Sequence, residues 1–368
     1  MLAHADLARY AGQFVWLELN FDNENSREFL DKYGAVGTPT FYVIDPQDGH
    51  VTATQTGAMS LAELKAFLDR GASGVFTKRL SPFDAALARG DALLAQKPAE
   101  AVAAYQQALK FAPAAWQRRD LAEASLVTAL ESNHQYRECA HTAATSAAAM
   151  KRDSTFARTV MAGMWCLVDG DTALPWVKEQ AAKLEPLAKE ALSLTTTVRD
   201  HRDELYRILM MLSLARQDKT AAQIWGDRWL AELDAIQPRS DEERTALDIA
   251  RVENIEVYGD PKRILPALSA SERAMPHSWN ASLRLAQMER DAKDYDAAIA
   301  ACDRGLRRTP GPLGRSWLLQ TKADVLSKKG QTADARRALE NALAAAQGIP
   351  LGRTRDSKLK QIQDALAK

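Results

Sequence analysis

Long apolar runs are missing from this sequence. No run approaches the roughly 18 consecutive apolar residues that a membrane-spanning helix needs, and residues 1–6 lack the basic and then apolar pattern of a signal peptide. The protein as written is therefore expected to be soluble and cytoplasmic. A signal sequence encoded upstream would allow export.

Cysteine and histidine are also scarce. The three cysteines, Cys139, Cys166 and Cys302, are odd in number and far apart, which predicts neither a disulfide framework nor a zinc site. We interpret them as small core residues. The six histidines show no metal-binding spacing such as H-E-x-x-H, and no Gly-rich phosphate loop is present. The sequence therefore predicts no catalytic residues, no metal site and no cofactor.

Net charge is zero, because 48 basic side chains balance 48 acidic ones. The distribution is uneven: residues 1–72 hold five Lys and Arg against ten Asp and Glu, and residues 304–368 hold fourteen against five. The basic residues at the carboxyl-terminal end recur at helical spacing, without the interleaved aromatic side chains that stack bases. We therefore expect solvated helix faces there and no nucleic-acid partner.

Residues 14–72 alternate strand and helix signals. Residues 14–21 are rich in strand formers, and their nearly continuous apolar character is typical of a strand covered on both faces. A second strand follows Pro39, and residues 51–55 form a third. Residues 45–49 between these two have turn chemistry, so the sequence predicts a hairpin.

Helices are expected on either side of this hairpin. Asn25 and Glu28 have the spacing of a capping box, and Gly34 suits a left-handed helix end. Ser60 and Glu63 form a second capping box before an apolar stripe. The predicted order is therefore strand, helix, strand, strand, helix.

This order, with Gly37-Thr38-Pro39-Thr40 before the second strand, resembles the second half of the thioredoxin fold. The resemblance implies that Pro39 is cis and that Thr38 and Pro39 shape a surface for binding an extended peptide substrate. Thioredoxins also carry a Cys-x-x-Cys at a helix start, which residues 1–72 do not contain. Thiol–disulfide exchange needs an activated thiolate and a resolving thiol, so the sequence as written is expected to be inactive in that reaction.

The resemblance also implies that strand 14–21 lacks both of its sheet neighbours, which belong to the first half of the thioredoxin fold. Each buried, unpaired backbone group costs about 1–3 kcal/mol, and exposed edges aggregate. Residues 2–13 resemble the tail of the helix that carries Cys-x-x-Cys in that family. We therefore expect that the chain begins late. The alternative is a stable half-domain whose strands are completed by a partner or by the helical region.

From about residue 83 the sequence is rich in Ala and Leu at helical spacing. Pro276 and Pro310 lie 34 residues apart, which is the length of a tetratricopeptide repeat. The unit that most resembles this family contains Leu285, Ala286, Asp294, Tyr295, Ala298, Ile299, Cys302, Gly305 and Pro310. Residues 83–113 form another good match, and the last unit, which contains Leu319, Ala323, Gly330, Ala335, Leu339 and Ala342, matches less fully. Further helix pairs of weaker pattern are expected at 117–150, 156–197, 204–236 and 242–276.

Tetratricopeptide arrays use the first helices of successive pairs to line a groove that grips a segment of another protein. Transferring those positions to the last two units selects Asn280, Leu283, Gln287, Arg290, Trp317, Gln320, Asp324 and Lys328. The alternative is that these residues form an ordinary solvated helix face. Six tryptophans are either partner anchors or inter-helix core: Trp165, Trp176, Trp225, Trp229, Trp279 and Trp317.

The predicted fold class is α/β plus all-α. A partial thioredoxin-like domain at 1–75 ends in a break at residues 71–74, and a linker spans 76–82. A TPR-like α-helical solenoid at 83–350 and a C-terminal basic helix at 351–368 follow. The predicted function is a TPR-type scaffold that binds other proteins or peptides and carries a redox-inactive thioredoxin-like module. The alternative is a thiol–disulfide oxidoreductase whose Cys-x-x-Cys segment is missing from this chain.

Overall fold

A computed structural model of the protein describes residues 4–20, 24–76 and 80–367. The chain divides into two compact units, one built from residues 1–18 and 28–219 and the other from residues 19–27 and 220–368. No helix of the described residues is long and apolar enough to cross a membrane.

The first unit begins with a short 3-10 helix at Ala5–Tyr10, where the sequence predicts the tail of a longer helix. Leu7 and Tyr10 are buried, and the Tyr10 hydroxyl donates to the Asp69 carboxylate at 2.8 Å. The elements that follow are α1 (Arg27–Tyr33), β1 (Thr40–Ile44), β2 (Val51–Thr56), α2 (Leu61–Phe76), α3 (Pro82–Leu93), α4 (Pro98–Phe111), α5 (Arg119–Ser132), α6 (Tyr136–Ala149), α7 (Ser154–Asp169), α8 (Pro175–Ser193) and α9 (Arg199–Ala215).

The predicted strand at 14–21 is wrong for its described part. Residues 14–20 adopt no regular structure, and Phe21 lies outside the described residues. Val15 is 87% exposed and Leu17 is 76% exposed. A strand is stable only when its backbone N–H and C=O groups are paired, and the one sheet of the described residues contains β1 and β2 alone. Strand-forming side chains are therefore present here without the partner that a strand requires.

The predicted hairpin is confirmed. β1 and β2 pair antiparallel from Thr40 opposite Thr56 to Ile44 opposite Val51, with a bulge between Val43 and Ile44. Gly49 in the connecting turn has φ +75°, a conformation that glycine adopts without a steric cost.

The helix signals around the hairpin are also confirmed in part. Gly34 ends α1 with φ +71°, as expected. The second capping box is formed: the Glu63 N–H donates to Ser60 Oγ at 3.2 Å, and the Ser60 N–H donates to the Glu63 carboxylate at 2.8 Å. α1 itself begins at Arg27, after a 3-10 turn at Glu24–Ser26.

The predicted break at residues 71–74 is wrong, because α2 continues through it to Phe76. The two glycines of this stretch allow the helix to lie closely on the hairpin. A Cβ at Gly71 would lie 2.5 Å from Val43, and one at Gly74 would lie 2.8 Å from Thr52. These glycines therefore allow α2 to pack closely on the hairpin, and they do not end the helix. Residues 77–79 of the predicted linker lie outside the described residues, and the division into domains stays a prediction.

A buried polar cluster joins the hairpin to α3 and α4. Asp91 of α3 is 2% exposed and lies 3.3 Å from the Arg70 guanidinium of α2. Its carboxylate also accepts from the Tyr105 hydroxyl of α4 at 2.9 Å and from the Thr54 N–H of β2 at 3.3 Å. Four elements thus share one buried carboxylate.

The prediction that the cysteines form no disulfide is wrong for two of the three residues. Cys139 of α6 and Cys166 of α7 form a disulfide with a Cα–Cα separation of 6.2 Å. Both are fully buried, so the interpretation as small core residues is confirmed. They meet because α6 and α7 are consecutive packed helices, a proximity that their separation of 27 residues conceals.

The second unit is helical throughout its regular elements. These are α10 (Lys219–Ala235), α11 (Asp241–Tyr258), a 3-10 turn at Pro261–Arg263, α12 (Leu265–Ala274), α13 (Trp279–Asp291), α14 (Tyr295–Arg307), α15 (Pro312–Lys328), α16 (Thr332–Gln347) and α17 (Arg353–Leu366). α11 packs on α12, α13 on α14 and α15 on α16, and each pair packs on the next. The predicted helix pair at 242–276 and the pairs of the last two units are confirmed.

Small residues set the closeness of these pairs, as the repeat pattern predicts. Ala286 and Ala298 are fully buried. A Cβ at Gly305 would lie 2.7 Å from Leu318, and one at Gly314 would lie 2.6 Å from Trp279. Neighbouring helices therefore approach at positions where a larger side chain does not fit.

Candidate functional site

A cleft of about 420 Å³ lies in the second unit and is lined from four helices. α11, α13, α15 and α17 are the first helices of successive pairs, or in the case of α17 the helix that follows the last pair. The cleft-lining residues are Ile249, Val252, Glu253, Glu256, Asn280, Leu283, Arg284, Gln287, Trp317, Gln320, Thr321 and Lys358. We refer to this feature as the first-helix cleft.

Helical spacing explains how each helix contributes. Asn280, Leu283 and Gln287 lie three and four residues apart on α13, and such residues share one face of a helix. Trp317 and Gln320 have the same relation on α15. Each helix thus presents one face, and the faces line the same cleft.

An aromatic and cationic cluster lies at one end of the cleft. The Trp317 ring lies 6.0 Å from the Trp279 ring, and the Lys358 ammonium lies 5.3 Å from the Trp317 centroid. Lys358 Nζ donates to the side-chain oxygens of Gln320 and Gln361, each at 3.1 Å. Burial lowers the pKa of Lys358. This ammonium is therefore held by neutral amides and an aromatic face.

Arg284 lines the same cleft, but part of its guanidinium is buried in the protein interior. Its Nε and Nη2 are buried and have no hydrogen-bond partner among the described residues. Burial lowers the pKa of Arg284, and the charge of Asp248 opposes that shift. We therefore assign Arg284 to the wall of the cleft and not to its accessible surface.

The predicted groove residues divide into two groups. Asn280, Leu283, Gln287, Trp317 and Gln320 line the first-helix cleft. Arg290, Asp324 and Lys328 instead form ion pairs with one another: Asp324 lies 3.3 Å from Arg290 and 2.6 Å from Lys328. The structure brings the first group together and places the second in a separate salt-bridge cluster.

Sequence reasoning missed the contribution of α11 and α17. Ile249 and Glu256 of α11 and Lys358 of α17 line the cleft, but the repeat pattern in their segments is weak. For α11 the available signal was its position as the first helix of its pair, as for the helices of Asn280 and Trp317, whereas α17 follows the last pair and offered no such signal.

The tryptophans differ in their burial. Trp229 is 1% exposed and belongs to the core, whereas Trp317 is partly exposed within the cleft. The indole of Trp165 lies 5.4 Å from the Arg207 guanidinium.

Thr38 and Pro39 lie before β1, and both are exposed. The peptide bond between them is cis, as the thioredoxin resemblance implies. The Pro39 carbonyl accepts from the Gly57 N–H at 2.8 Å, at the end of β2. The loop is therefore held on the hairpin with its side chains directed to solvent.

The thiol chemistry of the chain is confined to buried positions. Cys139 and Cys166 are linked, and Cys302 is buried in α14. Burial raises the pKa of the Cys302 thiol to about 12. A thiol with this pKa is almost fully protonated at neutral pH, and the protonated form is not the nucleophile.

The first unit contains a surface depression and a cluster of potential metal ligands. An open depression of about 630 Å³ is lined by His134, Gln135, Tyr136, Arg137, Glu138, His141, Glu179 and Gln180. Ligand atoms of Asp45, Asp48 and His50 lie within 4.8 Å of one another in the hairpin turn. Asp45 and Asp48 already accept backbone N–H groups of that turn, so its geometry accounts for the cluster.

Comparison with known proteins gives a likeness over a short part of the chain. No family model matches the chain. Thioredoxin of Pseudomonas aeruginosa strain PAO1 is 40% identical over 60 residues, which are 16% of this chain and 52% of that protein. The chain thus spans about half the length of this curated relative.

Two solved structures show a distant likeness over about three quarters of the chain. A tetratricopeptide repeat protein from Parabacteroides merdae has a TM-score of 0.41 and 11% identity, over 77% of this chain and 99% of that one. The TPR2AB domain of yeast Sti1, solved as a complex with pHSP90, has a TM-score of 0.31 and 14% identity, over 77% and 97% of the two chains. At these TM-scores the likeness carries no weight, and the description as helix pairs rests on the packing of this chain itself.

Proposed function

We propose that this protein is a helical-repeat scaffold that binds a segment of another protein in the first-helix cleft. The observation that carries the proposal is that successive first helices, α11, α13 and α15, together with α17, line one cleft. Five residues selected from the repeat pattern of the sequence alone lie in it. The mixture of apolar and amide side chains in the cleft suits a peptide ligand, which presents both kinds of group.

Site-specific photo-crosslinking of the full chain tests this function. A photoreactive residue at Gln287, which lines the cleft, is expected to crosslink a polypeptide in an extract of the source cells. The same residue at the exposed Gln363 of α17 is the matched control. Binding of the identified partner is then measured with purified proteins.

The double variant Asn280→Ala and Gln287→Ala is expected to weaken that binding by about tenfold or more, since truncation of central contacts costs about 1–2 kcal/mol each. Equal crosslinking from both positions, or unchanged affinity of the double variant, would contradict the proposal. The thermal unfolding midpoint of each variant checks that the helices remain folded.

The thioredoxin match supports a second proposal for the hairpin region. We infer that residues up to about 75 derive from a thioredoxin-type domain, in which the Thr38–Pro39 loop contacts an extended peptide. Disulfide exchange by such a domain needs a Cys-x-x-Cys that residues 1–72 lack. In-frame codons upstream of Met1 that encode this motif would support an oxidoreductase, and reduction of insulin by the extended protein would test it. An in-frame stop codon close upstream would contradict it.

A further inference from the structure

Apart from Arg284, whose guanidinium is partly buried in the wall, the charged residues of the first-helix cleft are segregated along its length. Glu253 and Glu256 lie on α11, and Lys358 lies on α17. α11 packs on α13, α13 packs on α15, and Lys358 contacts Trp317 and Gln320 of α15. The acidic and basic groups thus occupy opposite ends of the row of helices.

Two of these charges form no ion pair with any described residue. Glu256 is exposed, and Lys358 contacts only neutral groups among the described residues, namely the amide oxygens of Gln320 and Gln361 and the Trp317 ring. The acidic residues of α17 lie elsewhere. Asp364, for example, is exposed and does not line the cleft. Each unpaired charge is therefore available to a ligand.

Apolar surface lies between the two ends. Ile249 is 44% exposed, although large aliphatic side chains are usually buried. Leu283 forms the floor of the cleft at 5% exposure, and Trp317 is partly exposed beyond it. An apolar side chain of a ligand would gain burial here.

We infer that the cleft binds an internal segment of a partner protein that carries a basic side chain at the α11 end, an apolar side chain in the middle and an acidic side chain at the α17 end. This inference rests on the proposed function of the cleft. A carboxylate beside Lys358 would make a charge-assisted hydrogen bond where only neutral acceptors are now present. A cation beside Glu256 would complement the acidic end, and the two charges together would fix the direction of the segment.

The length of the segment follows from helix spacing. Neighbouring helix axes lie about 8–10 Å apart, so three steps from α11 to α17 span about 25 Å. An extended chain covers this distance with about eight residues. The binding segment is therefore a short linear stretch.

Selection from a peptide library tests the inference with the full-length chain as target. The library displays about twelve random residues between constant flanking sequences, so that no free terminus is presented. Selected sequences are expected to be enriched in the order basic, apolar, acidic, in one chain direction. Their synthetic forms, blocked at both ends, are measured by fluorescence anisotropy.

Charge variants give the decisive comparison. Glu256→Gln and Lys358→Gln are each expected to weaken the binding of the selected peptides about fivefold, which is within the range measured for partly buried charge pairs. The double reversal Glu256→Lys with Lys358→Glu is expected to select the opposite charge order. Lys360→Gln and Asp364→Asn on exposed positions of α17 are matched controls and should leave the affinity unchanged.

The outcomes separate the inference from the proposed function. Peptides that lose affinity in the variant of Asn280 and Gln287 but show no charge order would overturn the inference and leave the proposed function standing. Selection only from a second library with a free carboxyl terminus would overturn it as well, since the ligand would then be a chain end. A library that yields no peptide dependent on the cleft would overturn both.

Discussion

His201 of α9 is a buried imidazole. It is 2% exposed, and neither ring nitrogen has a hydrogen-bond partner among the described residues. Burial, with the charge of Arg158 adding to it and that of Glu63 opposing, lowers its pKa from 6.5 to about 4. The folded protein therefore holds this histidine neutral where the unfolded chain would be protonated.

The shift predicts a loss of stability in acid. Between pH 6.5 and about 4 the unfolded chain binds a proton at His201 that the folded protein does not, so the free energy of unfolding falls as pH falls. The loss amounts to about 3 kcal/mol at the lower limit. Urea unfolding across this range should show that His201→Asn has a flatter pH dependence than the original protein. Parallel curves for the two proteins would contradict the assignment.

Glu131 of α5, in the same unit, has the opposite effect on how stability depends on pH. Burial, with the charge of Asp169 adding to it, raises the pKa of Glu131 to about 7. The folded protein binds a proton here that the unfolded chain has lost, so this group destabilises the protein as pH rises from 4.5 to about 7. Glu131→Gln should therefore raise the unfolding free energy near neutral pH and leave it unchanged near pH 4. A variant that is less stable at neutral pH would refute the shift.

At the scale of elements, the contact between α2 and the hairpin depends on glycine. A Cβ at Gly71 would lie 2.5 Å from Val43, and overpacking of this kind costs about 1–3 kcal/mol. The gain in helix propensity from Gly to Ala is at most about 1 kcal/mol. Gly71→Ala should thus lower the unfolding free energy in urea. Gly37→Ala, whose Cβ would lie 3.6 Å from Thr56, is the control and should have little effect.

The helix pair α6 and α7 carries the disulfide between Cys139 and Cys166. Closing a loop across 27 residues restricts the unfolded chain and stabilises the protein by roughly 3–4 kcal/mol. Replacing both cysteines by alanine should lower the unfolding free energy by about this amount, and added reductant should have no further effect on that variant. Cys302→Ala is the control for loss of a buried sulfur, and a loss no larger than its own would argue against the cross-link.

Whether a sequence prediction is correct depends on how far apart in the sequence the interacting residues lie. The Ser60 and Glu63 cap, the hairpin turn and the left-handed Gly34 are local, and the sequence predicts them correctly. Residues 14–20 fail as a strand because a strand depends on a partner distant in sequence. The disulfide was missed for the same reason.

In the cleft, Gln287 could be predicted from the local sequence pattern, whereas Lys358 could not. The predicted residue Gln287 lies on a helix with a strong repeat pattern, whereas Lys358 lies on α17, which follows the last recognised unit. Only packing shows that α17 continues the row of first helices. The charge order along the cleft is therefore a property of the folded unit.

On the scale of the whole first unit, the buried carboxylate of Asp91 connects the hairpin to the helix pairs. It contacts β2, α2 and α4 from its own position on α3. The Ser154 hydroxyl of α7 also donates to the Glu63 carboxylate of α2. The hairpin and the helices thus share buried polar partners, and breaking them in one element leaves unpaired groups in the other.

We therefore predict that the hairpin and α4 open as one cooperative unit. Native-state hydrogen exchange by mass spectrometry should give equal opening free energies for residues 40–56 and 98–111, since regions that open together exchange together. Asp91→Asn should lower both by the same amount, about 3–5 kcal/mol, because it leaves the Arg70 guanidinium buried without its counter-ion. The exposed Asp31→Asn on α1 is the matched control and should lower neither. A shared buried network requires that neither side opens without the other. If the hairpin amides exchange at a lower free energy than those of α4, or if Asp91→Asn affects the hairpin alone, the hairpin opens independently of the helices.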